Sequence, residues 1–483
     1  MRPSALLLVL LVLGVPGESA AGQAVRTAPA GASLLAAARS GDSAGVAALI
    51  ARRADVKTHD ADGATALHWA VHNADRRSIA ALIAAGAPVD AANDYGVTPL
   101  MLAIENRDAA SVEALLKAGA PPRTALPTGE TAVMMAAKVG EPAVLTRLLA
   151  AGADVNAHEQ TRGQTALMWA VAEGHTPVVK LLIEAGADVR ARSATGYTPL
   201  TFAARDGRLD LAEALVAAGA DVNAAADDGM SVLHVATVRG QVAFAEYLLA
   251  KGANPNAAGS GFTPLHWAVG RWETITTKDY QVGRPEWQVW SGIPAASKIA
   301  FVTLLIDKGA DVNARATKSP PRLGFGKSPR VMGTSAEIGA TPYIFAAMGA
   351  EAEIMRLLVS RGADPKLASN DGTTALIMAA GVNYAPAEHG VPEARFFEAA
   401  KVAVEFGAEI DAANSAGNTA LHATAWSGFL SVTKLLVERG AKLDLKNKTG
   451  ETPRRVAEGT LLVMQVWFQP EVAAFLRTHD APR

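Results

Sequence analysis

His68 and His72 stand four residues apart, the spacing that sets two imidazoles on one helical face, as a zinc site requires. No glutamate sits beside them, no third ligand is evident, and His234, His266 and His422 repeat the position of His68 within one recurring pattern. With no third ligand, no metal is expected. Gly41-Asp42-Ser43-Ala44-Gly45 fits G-x-S-x-G, the nucleophile turn of serine hydrolases, which needs a strand before it and a helix after it. Apolar residues at helical spacing flank it on both sides instead. The 483 residues include no cysteine, which removes thiol catalysis, thiolate metal sites and disulfides. No enzyme activity and no cofactor are expected. The remaining chemistry is that of binding, carried by cations and aromatics at particular spacings.

The elements that would position such residues follow from a period. Thr65, Thr98, Thr131, Thr165, Thr198, Ser231, Thr263, Thr341, Thr374, Thr419 and Thr452 each open a short run of small and apolar residues. The steps between them are 33, 33, 34, 33, 33, 32, 78, 33, 45 and 33. A unit of that size cannot bury its own apolar face, so a fixed period means a stacked array. Within Thr165–Gly196, Thr165 is placed to cap a helix, and Leu167, Ala170 and Val171 share one face of it. Gly174 supplies a positive-φ turn. Val178, Val179, Leu181 and Leu182 make a second helix that ends at Gly186, and Asp188-Val189 begins an extended excursion to the next unit.

These motifs resemble the ankyrin repeat. The hallmark T-P-L-H-x-A is complete at Thr263–Ala268 and nearly so at Thr65 and Thr419; G-A-D-V-N-A is complete at Gly152–Ala157, Gly219–Ala224 and Gly309–Ala314. The resemblance covers about residues 32–480 in about twelve units, with a cap at Ser33–Val56 and a degenerate last unit at Thr452. It implies an all-α solenoid of helix-turn-helix units with β-hairpin fingers, and an activity of binding other proteins on the concave face. In that family the residues just before the inter-helix turn face the groove. Here they include Glu105, Lys138, Glu173, Arg205, Arg239 and Arg271, with Tyr95, Arg162, Tyr197, Asp227, Asp228 and Phe262 near the finger tips.

Three spacings break the rule and predict insertions at about 271–296, 315–337 and 382–396. The first holds Trp272, Tyr280, Trp287 and Trp290, aromatics that either fold back into a local core or form a protein hot spot or sugar-stacking platform. The second is a basic finger with Arg315, Lys318, Arg322, Lys327 and Arg330, whose only acid is Glu337. It reads as a contact for an acidic partner or an anionic envelope surface, or else as a solvated loop. Trp69, Trp169, Phe202, Trp267 and Phe345 recur at one slot, as inter-unit packing or as a ligand-facing ladder.

The net charge of −2 gives no global attraction to nucleic acid or anionic membrane. Residues 1–24 begin with Arg2, run apolar from Ala5 to Leu13 and break at Gly14, Pro16 and Gly17, the layout of a secretory signal peptide, too short for a membrane anchor. Asn447-Lys448-Thr449 is a glycosylation sequon. The expectation is thus an exported protein, periplasmic or secreted, that binds an acidic partner protein in its groove through Arg205, Arg239 and Arg271. The competing expectation is an envelope- or carbohydrate-binding module using the aromatic insertion and the basic finger.

Overall fold

All eleven heading residues are helix N-caps with extended backbone at the cap, from Thr65 to Thr452. The hydroxyl of Thr165 accepts the Met168 N–H at 3.4 Å, satisfying one of the donors a helix start leaves open. Proline follows the cap at Pro99, Pro199, Pro264, Pro342 and Pro453, where its missing N–H costs no bond. Each cap opens a short first helix, and a second helix, usually of nine residues, returns beside it, as in Ala166–Glu173 and Thr176–Glu184. The computed structural model describes residues 30–270, 293, 295–318, 336–382, 391–462 and 465–479. The expected signal segment at 1–24 lies outside them.

The chain divides into two compact units, Met1–Pro121 and Pro122–Arg483. Inside each, first helices pack on first helices and second on second. The buried faces are the ones that the 3.6-residue period marks: Leu167, Met168, Ala170 and Val171 on one helix, Val178, Val179 and Leu182 on its partner. Burying a leucine such as Leu167 contributes roughly 2 kcal/mol.

Within each unit, polar ladders join successive helix pairs at many of the steps. The Asn of the G-A-D-V-N motif makes one of them. Asn313 donates from Nδ2 to the Gly362 carbonyl at 3.1 Å and accepts the Asp364 N–H at 2.8 Å. Asn256 does the same with Gly309 and Asp311, both at 2.7 Å. A second ladder caps first-helix carbonyls. Asn106 Nδ2 reaches Val71 O at 2.7 Å in the first unit, and His175 reaches Lys138 O at 3.0 Å in the second. Finger tips are joined by one backbone bond per step, such as Ala194 N–H to Arg162 O and Asp227 N–H to Thr195 O. Isolated bridges such as His158 with Thr165 close the fingers, so they are tight turns rather than full β-hairpins. One bond per step over two or three residues is too little for a strand.

The inter-helix turn requires a left-handed residue. Gly140, Gly174 and Gly207 supply it with φ of 77°, 78° and 68°, whereas Ala74 and Arg107 adopt 53° and 56° with a side chain in the way. Both residues are exposed. Ala74→Gly and Arg107→Gly should therefore each raise stability by about 0.5–1 kcal/mol, read as a higher urea midpoint. An unchanged or lower midpoint for both would refute the assignment of strain.

Two insertions differ in extent from the expectation. The second helices that follow them, Ala295–Asp307 and Glu393–Glu405, have 13 residues rather than nine. Part of each expected insertion is therefore helix. Phe396 belongs to the core, fully buried with its ring 4.9 Å from that of Phe429, because a longer second helix carries it onto the next unit. The expected basic finger departs from a closed neck. Ala316 N–H donates to Ala340 O at 2.9 Å, Gly339 N–H donates to Ala316 O at 2.7 Å, and Arg315 bonds the carbonyls of Gly339 and Ala368. Its acid, Glu337, is buried. The degenerate last unit carries the one strand pair among the described residues, Thr460–Leu462 antiparallel to Gln465–Trp467, between the helices Pro453–Ala457 and Pro470–His479.

Candidate functional site

The first-helix ends of the Pro122–Arg483 unit carry the cation column. Lys138 closes the helix Ala132–Val139, and its ammonium lies 5.0 Å from the centre of the Trp169 ring on the adjacent first helix. Arg205, near the end of Pro199–Asp206, stands 5.3 Å over Phe202 of its own helix. Trp169 and Phe202 are half-buried, so each presents an aromatic face already polarised toward a cation. Arg205 also forms a two-pronged ion pair with Asp206, closest at 2.8 Å. Arg239 is half-buried and donates from Nε to the Arg205 carbonyl at 3.2 Å. The column is therefore held in place before any partner arrives, and part of its charge is already matched. Arg271, Trp272, Trp287, Trp290, Arg322, Lys327 and Arg330 lie outside the described residues.

The finger residues separate by burial. Arg162 is exposed at a tip in this unit, and Tyr95 is 48% exposed at a tip of the Met1–Pro121 unit. Tyr197 is half-buried. Phe262 is not a tip residue at all. It is 2% exposed, edge-on to Trp267 at 5.7 Å and to Phe345 at 6.2 Å. The reason is its slot, immediately before the capping Thr or Ser, where an apolar side chain can turn under the finger, although Tyr197 at the same slot is only half-buried. Ala64, Val97, Met230 and Ala340 are buried there too. The aromatic slot thus splits into core at Trp267 and Phe345 and groove surface at Trp169 and Phe202. Trp69, in the other unit, donates its indole N–H to Asp60 at 2.9 Å beneath Arg39.

The slot histidines have both ring nitrogens engaged. In His266, Nδ1 accepts the Thr263 backbone N–H at 3.1 Å, while Nε2–H donates toward Ala314 O at 3.1 Å and Ala340 O at 3.2 Å. His68 bonds Thr65 and Val97 O, His234 bonds Ser231 and Phe262 O, and His422 bonds Thr419 and Glu451 O. Burial pushes His234 and His266 down to about 4 and lowers His68 and His422, so these rings are neutral. His72 packs edge-on against Trp69. No group of three or more His, Asp or Glu suited to a metal occurs among the described residues. In the G-x-S-x-G segment, Asp42 N-caps the helix Ser43–Ala51, and the Ser43 hydroxyl donates to Asp75 at 2.7 Å. Asn447 of the sequon is engaged as well, donating to Asn418 and accepting from Thr449 and Glu451. None of the described helices is long and apolar enough to cross a membrane.

One cluster escaped the sequence. Lys298, 8% exposed, donates to Glu351 at 2.8 Å, and Arg395 reaches the other Glu351 oxygen at 2.7 Å. A signal for it exists: an acid recurs ten residues after the capping Thr at Asp75, Asp108, Glu141 and Glu351. Each of these stands at the N-cap position of a second helix, and all but Glu351 accept a backbone N–H there.

Helix pairs stacked through side-chain ladders define a repeat protein. The chain belongs to the ankyrin-repeat family. A profile described as ankyrin repeats (3 copies) matches residues 34–125, 133–226 and 220–276, and one described as ankyrin repeats (many copies) matches 396–437. Together they span more than half of the chain. Among solved structures, the ankyrin repeat domain of human ASB11 is 27% identical, with 46% of this chain and 98% of that one covered and a TM-score of 0.42. The ankyrin repeat domain of Bcl-3, described as a unique member of the IkappaB protein family, is 32% identical, with 42% and 93% covered and a TM-score of 0.39. No curated protein matches the chain. Ankyrin repeats mediate protein–protein interaction, and that general role is the one this chain shares.

Proposed function

We propose that this chain is an exported scaffold that binds an acidic segment of a partner protein along the first-helix face of its Pro122–Arg483 unit. The observation that carries the reading is the pair of half-buried aromatic–cation contacts, Lys138 on Trp169 and Arg205 on Phe202, on first helices that stack together. An aromatic face supplies contact area with few side-chain torsions to freeze, and a cation already seated on it costs little further ordering. A partner carboxylate would compete with Glu130 for Lys138 and with Asp206 for Arg205, with Arg239 behind. Export rests on the character of residues 1–24 and places the partner in the periplasm or outside the cell.

The test is capture from the exported fraction of the host, with the chain beginning at Arg26 as bait and Lys138→Glu/Arg205→Glu as the parallel bait. A partner bound at least tenfold more weakly by the variant, at unchanged melting temperature, supports the groove. A partner retained equally by both would move the site elsewhere. Retention of envelope polysaccharide with no protein would replace the reading with the carbohydrate-binding one.

A further inference from the structure

Glu351 sits at the turn between the helices Pro342–Met348 and Ala352–Ser360, with its side chain 16% exposed. One carboxylate oxygen accepts from Lys298 Nζ at 2.8 Å and the other from Arg395 Nη2 at 2.7 Å. Lys298 donates a second bond to the Gly270 carbonyl at 2.7 Å. Gly270 ends the helix before the first inter-helix insertion, Lys298 lies in the first turn of the helix after it, and Arg395 lies in the first turn of the helix after the third. A normal unit, headed by Thr341, stands between them.

We infer that Glu351 is a positioning residue, a two-sided anchor that fixes where both insertions leave the stack and binds three successive helix pairs into one block. Its equivalents reach one way only. Asp75 accepts from Ser43 of the preceding helix pair, and Asp108 pairs with Arg76, whose side chain is 66% exposed. Neither meets a buried cation. A buried ion pair adds little net stability over a well-packed apolar one, yet losing one partner strands the other charge. An ammonium 8% exposed is therefore held for its geometry: it must have Glu351 and Gly270 in place together. Ordinary inter-helix turns hold position through a short, closed chain. Where the chain between two helices is lengthened that constraint is gone, and this cluster restores it with side chains.

Hydrogen exchange on the full chain tests the anchor. Glu351→Gln should speed exchange at least tenfold in residues 296–303 and 394–401, with the helices between 199 and 217 unchanged. Lys298→Met/Glu351→Gln should return 296–303 toward wild-type protection, since no charge is then stranded, and leave 394–401 fast. Arg395→Met removes a side chain that is 40% exposed, so it folds, and it should speed 394–401 alone. Unchanged exchange in either helix of Glu351→Gln, a loss of protection spread evenly over 122–483, or no effect of Arg395→Met would each overturn the proposal.

Discussion

Lowering the pH from 7 to 5 should destabilise the Pro122–Arg483 unit by about 4 kcal/mol through His234 and His266, each contributing about 2. Both imidazoles have folded values near 4 against an unfolded 6.5. Between those values the unfolded chain binds protons that the folded chain refuses. The stability they contribute is complete above pH 6.5 and drains away as pH falls toward 4. The chemistry is local. A proton on Nδ1 of His266 would face the Thr263 N–H that this nitrogen now accepts, and Nε2 is already committed to carbonyls. Asp75 and Asp108 of the Met1–Pro121 unit, whose values are lowered below 3.8, lose their contribution only further down. Urea midpoints at pH 7 and 5 measure the effect. If His234→Gln/His266→Gln falls as steeply as wild type between those two pH values, the buried neutral rings are not its source.

Replacing Gly229 with alanine should cost about 3–5 kcal/mol, the sum of left-handed strain and overpacking. Gly229 has φ +84°, and a Cβ built there would lie 2.1 Å from the Gly259 carbonyl carbon and 2.5 Å from the Ser260 nitrogen. Both obstacles are backbone of the neighbouring finger and cannot turn aside. Gly450 is the natural control. It has φ +82° with nothing within 4 Å of the added atom, so Gly450→Ala carries the torsional strain alone, about 1 kcal/mol. The difference between the two melting curves isolates finger-to-finger contact. Equal losses would mean the fingers can separate freely.

Local features of the fold were legible because each rests on chemistry that one residue type performs. The capping hydroxyl announces the first helix of every unit from Thr65 onward, and the positive-φ glycines mark turns. The broken spacings after Thr263 and Thr374 mark the two places where the second helix is longer than nine residues. The lengths of those helices were not legible, because the 33-residue register says nothing about whether Ala295 or Glu393 continues a helix backward. The site was legible in part. Lys138 and Arg205 lie on the expected column, but the sequence does not reveal that Asp206 meets Arg205 or that Arg239 turns back to a carbonyl. Phe262 was misread because its position in the period was taken for a finger tip. The apolar residues at the same slot, Ala64, Val97, Met230 and Ala340, pointed inward, but Glu130, Gln164, Thr373, Asn418 and Glu451 at other units blur the signal. Glu351 stands at the recurring acid position, but Lys298 and Arg395 are far from it in sequence and belong to no motif, so only folding shows that they meet it.

The asparagine ladder has a consequence for how such a chain changes length. Asn256 and Asn313 each give one bond and take one from the helix pair that follows, at the same two backbone groups. Donor and acceptor thus repeat in phase with the chain. Excising or duplicating one whole period leaves every surviving asparagine facing the carbonyl and N–H it already requires, and no compensating substitution is needed. A change of ten residues within a period would misalign the ladder unless it fell between the two helices or at a finger. Those are the places where this chain carries its extra segments. Growth by whole periods, with irregular additions confined to the joints, is the history such bonding permits.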